Sequence, residues 1–248
     1  MSGTYNDIAP LRGGADLENH RVTSSTANGR ERAGAAAQVP ITVLEPERAA
    51  RGGIVVLHES REFTGTLLAL MSALAADGWT VVAPNLFHRS ESAPVSQVFG
   101  DDLFDDFDAC FDWLTGRGVF PDTVGVLGFD TAGTAAFLVA TNRPIGAAVS
   151  VSAHGIIEPI AAQGDALVDV APLLQAPWLG LFGSDDPNTP ADHVDRLRDA
   201  TARAAVASLV VRYPDLHHRV DNLGPAEEDG DEVGSQSRIF DWFDSNLR

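Results

Sequence analysis

The sequence predicts one α/β domain: a mostly parallel central sheet with helices on both faces. Three observations predict it. From Val39 onward, short apolar runs alternate with segments of helical period, the pattern of strands joined by helical crossovers. The runs IVVLH (54–58) and VGVLGF (124–129) are continuous rather than alternating, which suits strands buried on both faces. No internal repeat and no second apolar cluster divides the 248 residues, so one core is expected.

Residues 1–38 are rich in Gly, Ala, Ser, Thr and Arg without a period, and are expected to form a loosely ordered extension ahead of a domain at 39–248. Strands are expected at Val39–Leu44, Gly53–His58, Thr80–Pro84, Thr123–Phe129, Ala147–Ser152, Trp178–Phe182 and Ser208–Tyr213. Helices are expected at Thr66–Asp77, with Leu67, Leu70, Met71 and Leu74 on one face and Gly78 as the stop, and at Asp101–Leu114, Thr131–Thr141, Asp192–Ala204 and Ser235–Leu247. In DDLFDDFDACFDWL, Leu103, Phe104, Phe107, Phe111 and Leu114 form the apolar stripe. Asp101, Asp102, Asp105, Asp106, Asp108 and Asp112 fall off it and read as a solvated face rather than a metal site. Cys110, the single cysteine, reads as a small core residue.

Composition narrows the chemistry. The net charge of −18 argues against nucleic acid and anionic membrane surfaces as partners. All 17 basic residues are arginine, which removes Schiff-base chemistry and the lysine of a phosphate-binding loop. One cysteine permits no intrachain disulfide, and the N-terminal stretch has neither a basic nor an apolar leader region, so a cytoplasmic location is expected. No metal or organic cofactor is expected. Five histidines at strand ends (58, 88, 154, 217 and 218) lack the HxH or HExxH spacing of a metal site, and the acidic loop 219–234 lacks calcium-ligand spacing.

Ligands of a parallel sheet bind beyond the carboxyl ends of its strands. The polar residues there are His58 and Glu59, His88 and Arg89, Asp130, His154, Asp185 and Asp186, and His217 and His218. The segment GFDTAG (128–133) joins an apolar run to a small-residue helix with the G-x-Nuc-x-G spacing of α/β-hydrolases, but carries aspartate at its tip. Asp130, then 185 or 186, then 217 or 218 follow the nucleophile–acid–histidine order. An aspartate at a helix N-terminus also has a plain structural use as a cap. The stretch between Asp130 and Asp186 is too short for a strand, a helix and a large cap domain, so an open or loop-covered site is expected.

From Val39 to the C-terminus the chain resembles the dienelactone hydrolases of the α/β-hydrolase superfamily. The resemblance rests on VVLHES (55–60), VVAPNLFHR (81–89), VGVLGFDTAG (124–133), LFGSDDPNTP (181–190) and YPDLHHRVDN (213–222). These stand where the family reads HE, APDLYxR, GFCxGG, G..D..P and YPxxxHxF. The match implies Asp130 at the nucleophile position, Asp186 as the acid and His218 as the catalytic histidine. It implies oxyanion donors from the backbone of Ser60 and Thr131, a pocket glutamate at Glu59, and a carboxylate-binding arginine at Arg89. His58 lies beside that pocket. A second family arginine falls on Asn222, with Arg219 close by; Cys becomes Asp130, Gly becomes Ala132, and Asp and Tyr become Asn85 and Phe87.

The implied function is hydrolysis of a small ester or lactone, anionic ones included. Two alternatives stay open. A carboxylate is a poor acyl nucleophile, because it leaves a tetrahedral adduct more readily than an alkoxide does, but it suits displacement at saturated carbon through an alkyl-ester intermediate, as in dehalogenases. The other alternative is a silent pseudohydrolase that binds a ligand or partner. The oligomeric state is left open.

Overall fold

The computed structural model describes residues 3–11, 38–59, 63–89, 101–160, 164–184, 186–214, 216 and 234–248. Its centre is an eight-stranded sheet: β1 (Thr4–Pro10), β2 (Gln38–Leu44), β3 (Gly52–Leu57), β4 (Trp79–Pro84), β5 (Val124–Phe129), β6 (Ala147–Val151), β7 (Trp178–Gly183) and β8 (Ser208–Tyr213). The spatial order is β1-β2-β4-β3-β5-β6-β7-β8; the β1–β2 and β2–β4 pairings are antiparallel and the remaining pairings are parallel. The helices are α1 (Gly65–Ala76), α2 (Asp101–Thr115), α3 (Thr131–Asn142), the short α4 (Leu167–Val170), α5 (Ala191–Thr201) and α6 (Ser235–Asn246). This is the α/β-hydrolase architecture.

The continuous apolar runs are continuous because both faces are covered. Alternate side chains of one strand enter opposite cores. Val55 and Leu57 pack with Phe107, Cys110 and Leu114 of α2 and with Ala136 and Phe137 of α3. Ile54 and Val56 pack with Leu67, Met71 and Leu74 of α1 and Ile239 and Phe243 of α6. α1 opens on Thr64, whose hydroxyl accepts from the Leu67 amide at 3.2 Å. It closes before Gly78, whose φ of 105° a side chain would resist. Cys110 is fully buried, and burial pushes its thiol well above the ordinary range. Among the described residues no helix is long and apolar enough to cross a membrane.

Two expectations are corrected. The segment expected as a loose extension contributes β1, an edge strand that buries only Ala9 while Tyr5 and Ile8 face outward; residues 12–37 lie outside the described set. Its short, mixed-polarity pattern gave no strand signal because pairing with β2 supplies the order. The acidic side of α2 is not uniformly solvated. Asp106 is fully buried and Asp108 nearly so. Each meets an arginine through two contacts: Arg89 to Asp106, both at 2.8 Å, and Arg143 to Asp108, at 2.8 and 3.0 Å. Helical period separates faces but says nothing about a cation arriving from another element.

Candidate active site

The strand order reverses between β3 and β5, and parallel α/β sheets open a crevice at that point. β3 ends into His58 and Glu59, and β5 ends into Asp130. Asp130 takes φ 51° and ψ −121° before α3 begins at Thr131, a conformation worth roughly 1–3 kcal/mol of strain for a residue with a Cβ. The surroundings impose it. The Asp130 amide donates to the Val151 carbonyl at 2.9 Å, and the Asp130 carbonyl accepts from the Thr134 amide at 3.1 Å. Gly128 leaves room for the turn, since a Cβ there would overlap the Ala132 carbonyl. The side chain of Asp130 makes no capping hydrogen bond to α3, so the helix does not use this carboxylate.

The Thr131 amide is free of helical duty and donates to Glu59 Oε1 at 2.6 Å. An N–H at the start of a helix is a natural anion site, and here it already holds a carboxylate oxygen from the neighbouring strand end. His58 is buried, its Nε2 3.0 Å from the Pro84 carbonyl, and its ring lies 4.9 Å from that of Phe63. That contact ties the ends of β3 and β4 together.

The end of β6 supplies a group that the sequence placed on the rim without a role. His154 Nε2 stands 3.6 Å from Asp130 Oδ1. The signal was its position just past an apolar run; the partner could not be read from it. Ser152, two residues earlier, is buried with φ 48°, and its Oγ has no hydrogen-bond partner among the described residues.

Asp186, at the end of β7, is buried. Its Oδ1 accepts from the Asn188 amide at 2.9 Å and its Oδ2 from the Thr189 hydroxyl at 3.0 Å, so the carboxylate is fixed by its own turn. Arg89 is bound to Asp106, with Asp102 at 3.8 Å. Partial burial pulls the Arg89 pKa down, but the hydrogen bond and charge of Asp106, with Asp102 and Asp105, outweigh it and the net shift is upward. His88 Nε2 lies 3.2 Å from the same Asp106. Ser60, Asp185, His217, His218 and Asn222 lie outside the described residues. Among the described residues no three His, Cys, Asp or Glu side chains cluster as a metal site would require.

The dienelactone hydrolase family profile matches residues 39–246. A Yersinia pestis protein provisionally named a carboxymethylenebutenolidase is 28% identical over 184 residues, 68% of this chain and 69% of that protein. Among solved structures, a Klebsiella pneumoniae protein provisionally named a dienelactone hydrolase superposes with a TM-score of 0.72 at 21% identity, covering 98% of this chain and 99% of the other. A dienelactone hydrolase from Anabaena variabilis gives 0.66 at 19% identity, covering 100% and 99%. At these identities the two structures speak for the fold.

Proposed function

The chain belongs to the dienelactone hydrolase family, and from that premise we propose that it hydrolyses a small ester or lactone at the turn carrying Asp130. The observation that carries the reading is the turn itself: a strained aspartate that its helix does not use, beside an amide that holds an anionic oxygen. In this reading the substrate carbonyl oxygen displaces Glu59 from the Thr131 amide, with the Ser60 amide as the second donor. An Asp130 oxygen attacks the carbonyl carbon, the C–O bond of the ester breaks, and the departing oxygen takes a proton from the His218 imidazolium, which is left neutral. A water deprotonated by His218, which Asp186 orients, then cleaves the acyl-aspartate anhydride and restores the carboxylate. A carboxylate gains most when the leaving oxygen is an enolate, so enol-lactones and activated esters are the favoured substrates. Arg89 is a candidate contact for a substrate carboxylate, in competition with Asp106.

Displacement at saturated carbon is the second reading, favoured by the same Glu59 contact. Its first step needs no oxyanion donor, so the occupied Thr131 amide is no obstacle to it. The test is turnover of short activated esters and an enol-lactone by the wild type and Asp130→Asn. Activity lost by on the order of 10³-fold in the variant supports hydrolysis at Asp130. Equal activity in both excludes the aspartate from the chemistry. Halide release, with solvent oxygen entering Asp130, moves the assignment to displacement. Ligand-induced stabilisation without turnover of either kind makes the pocket a binding site.

A further inference from the structure

We infer that His154 is a positioning residue for Asp130: its Nε2–H takes hold of Oδ1 and leaves the second carboxylate oxygen to face the reacting carbon. The inference rests on the reading of Asp130 as the reacting carboxylate. It goes beyond the expected triad, in which His218 is the only histidine with a part in the chemistry.

The distance of 3.6 Å is the first support. It is too long for a hydrogen bond and too short to admit a water, which would need about 5.5 Å between the two atoms. A shift of well under 1 Å closes it, and contacts of this kind often tighten only when substrate is bound. Burial is the second. His154 Nε2 is inaccessible and has no hydrogen-bond partner among the described residues, so the ion-pair contact to Asp130 is the one polar interaction found for that nitrogen there.

The third support is that the backbone is built to bring the two together. Thr134, on the helix that follows Asp130, donates its hydroxyl to the His154 carbonyl at 2.7 Å, while its amide donates to the Asp130 carbonyl. One residue therefore clamps both main chains. Gly133 lets α3 lie against the end of β6; a Cβ there would stand 2.9 Å from the Val151 carbonyl and 3.4 Å from Ala153 Cα. On the far side, the Gly155 and Ile156 carbonyls accept from the Leu167 and Val168 amides at 3.0 and 3.1 Å, fixing the segment that carries His154.

The test compares His154→Phe and His154→Gln in the full chain, assayed on activated esters. Phe removes the donor; Gln keeps an N–H donor of similar reach. The expectation is that His154→Phe lowers kcat by on the order of 100-fold with KM within about threefold, and that His154→Gln recovers at least about tenfold of that loss. Unchanged kcat in His154→Phe, or Gln no better than Phe, overturns the inference. If the wild type hydrolyses no ester, the reading of Asp130 fails separately, and the contact is judged by ¹⁵N shifts of the His154 ring in the wild type and in Asp130→Asn. A hydrogen-bonded, protonated Nε2 that changes when the carboxylate is removed upholds the pair. Identical spectra overturn it.

Discussion

Among the described residues two carboxylates each face a histidine from a neighbouring element, and they are built in different ways. Asp106 is fully enclosed, gripped twice by Arg89 at 2.8 Å, with His88 Nε2 at 3.2 Å. Every distance there is within hydrogen-bond range. Asp130 sits in a strained turn with His154 held at 3.6 Å and with Glu59 engaged on the adjacent amide. A buried charge whose partners are all at contact distance is committed to them, because losing one leaves it uncompensated. Asp130 meets its histidine beyond hydrogen-bond distance in a strained turn, and strain of this sort persists only where the surroundings enforce it.

Replacing Asp130 by Asn is the strongest test of that contrast. Turnover should fall by on the order of 10³-fold, while the melting temperature holds or rises, because a site charge near Glu59 is removed. A drop in melting temperature comparable to that of a core mutation would place Asp130 with Asp106 among the structural acids. Asp106→Ala should show the reverse. It removes the buried partner of an arginine that reaches solvent, and should lower unfolding free energy by about 1–2 kcal/mol in urea titration. A loss below about 1 kcal/mol would put the pair in the class of surface bridges. If the folded variant then binds carboxylate substrates more tightly, Arg89 is the anion contact that Asp106 normally restrains.

Gly133→Ala sharpens the comparison from the backbone side. The added methyl presses on the Val151 carbonyl, and a loss of about 1–2 kcal/mol is expected, together with a larger loss of activity than of stability, since the End of β6 carries His154. The smallest effect concerns the edge strand. Burial, followed by the hydrogen bond to Glu45, pushes the Tyr5 hydroxyl from 10.0 up to about 12. The folded protein thus favours the neutral phenol. That contribution is intact below the ordinary value of 10 and is lost as pH climbs toward 12. Amide exchange in β1 should accelerate in that window relative to β5, and Tyr5→Phe should remove the difference.

Much of the fold was legible because it follows from period and run length. The seven strands expected from Val39 onward are all present, displaced by a residue or two at their ends, and the five expected helices are found with α4 added. β1 escaped because its order comes from pairing with β2, not from its own pattern. Within the site, the sequence brought Glu59, Asp130 and Asp186 to strand ends, and the order of strands then set Glu59 against the Thr131 amide. His154 stood on the same rim with no distinguishing mark, since its meaning lies in a distance to another strand. Asp106 was misread for the same reason.

The sequence by itself determined the layered α/β architecture, the glycines that permit the Asp130 turn, and the presence of a carboxylate at its tip. These are local properties, set by backbone sterics and the burial of alternating faces. Only the tertiary structure decided which polar groups meet. Arg89 meets Asp106, Thr131 meets Glu59, and His154 approaches Asp130 across gaps of 17, 72 and 24 residues in the chain. Such contacts depend on sub-ångström placement of separate elements, and side-chain identity along one chain does not encode that placement in any readable period.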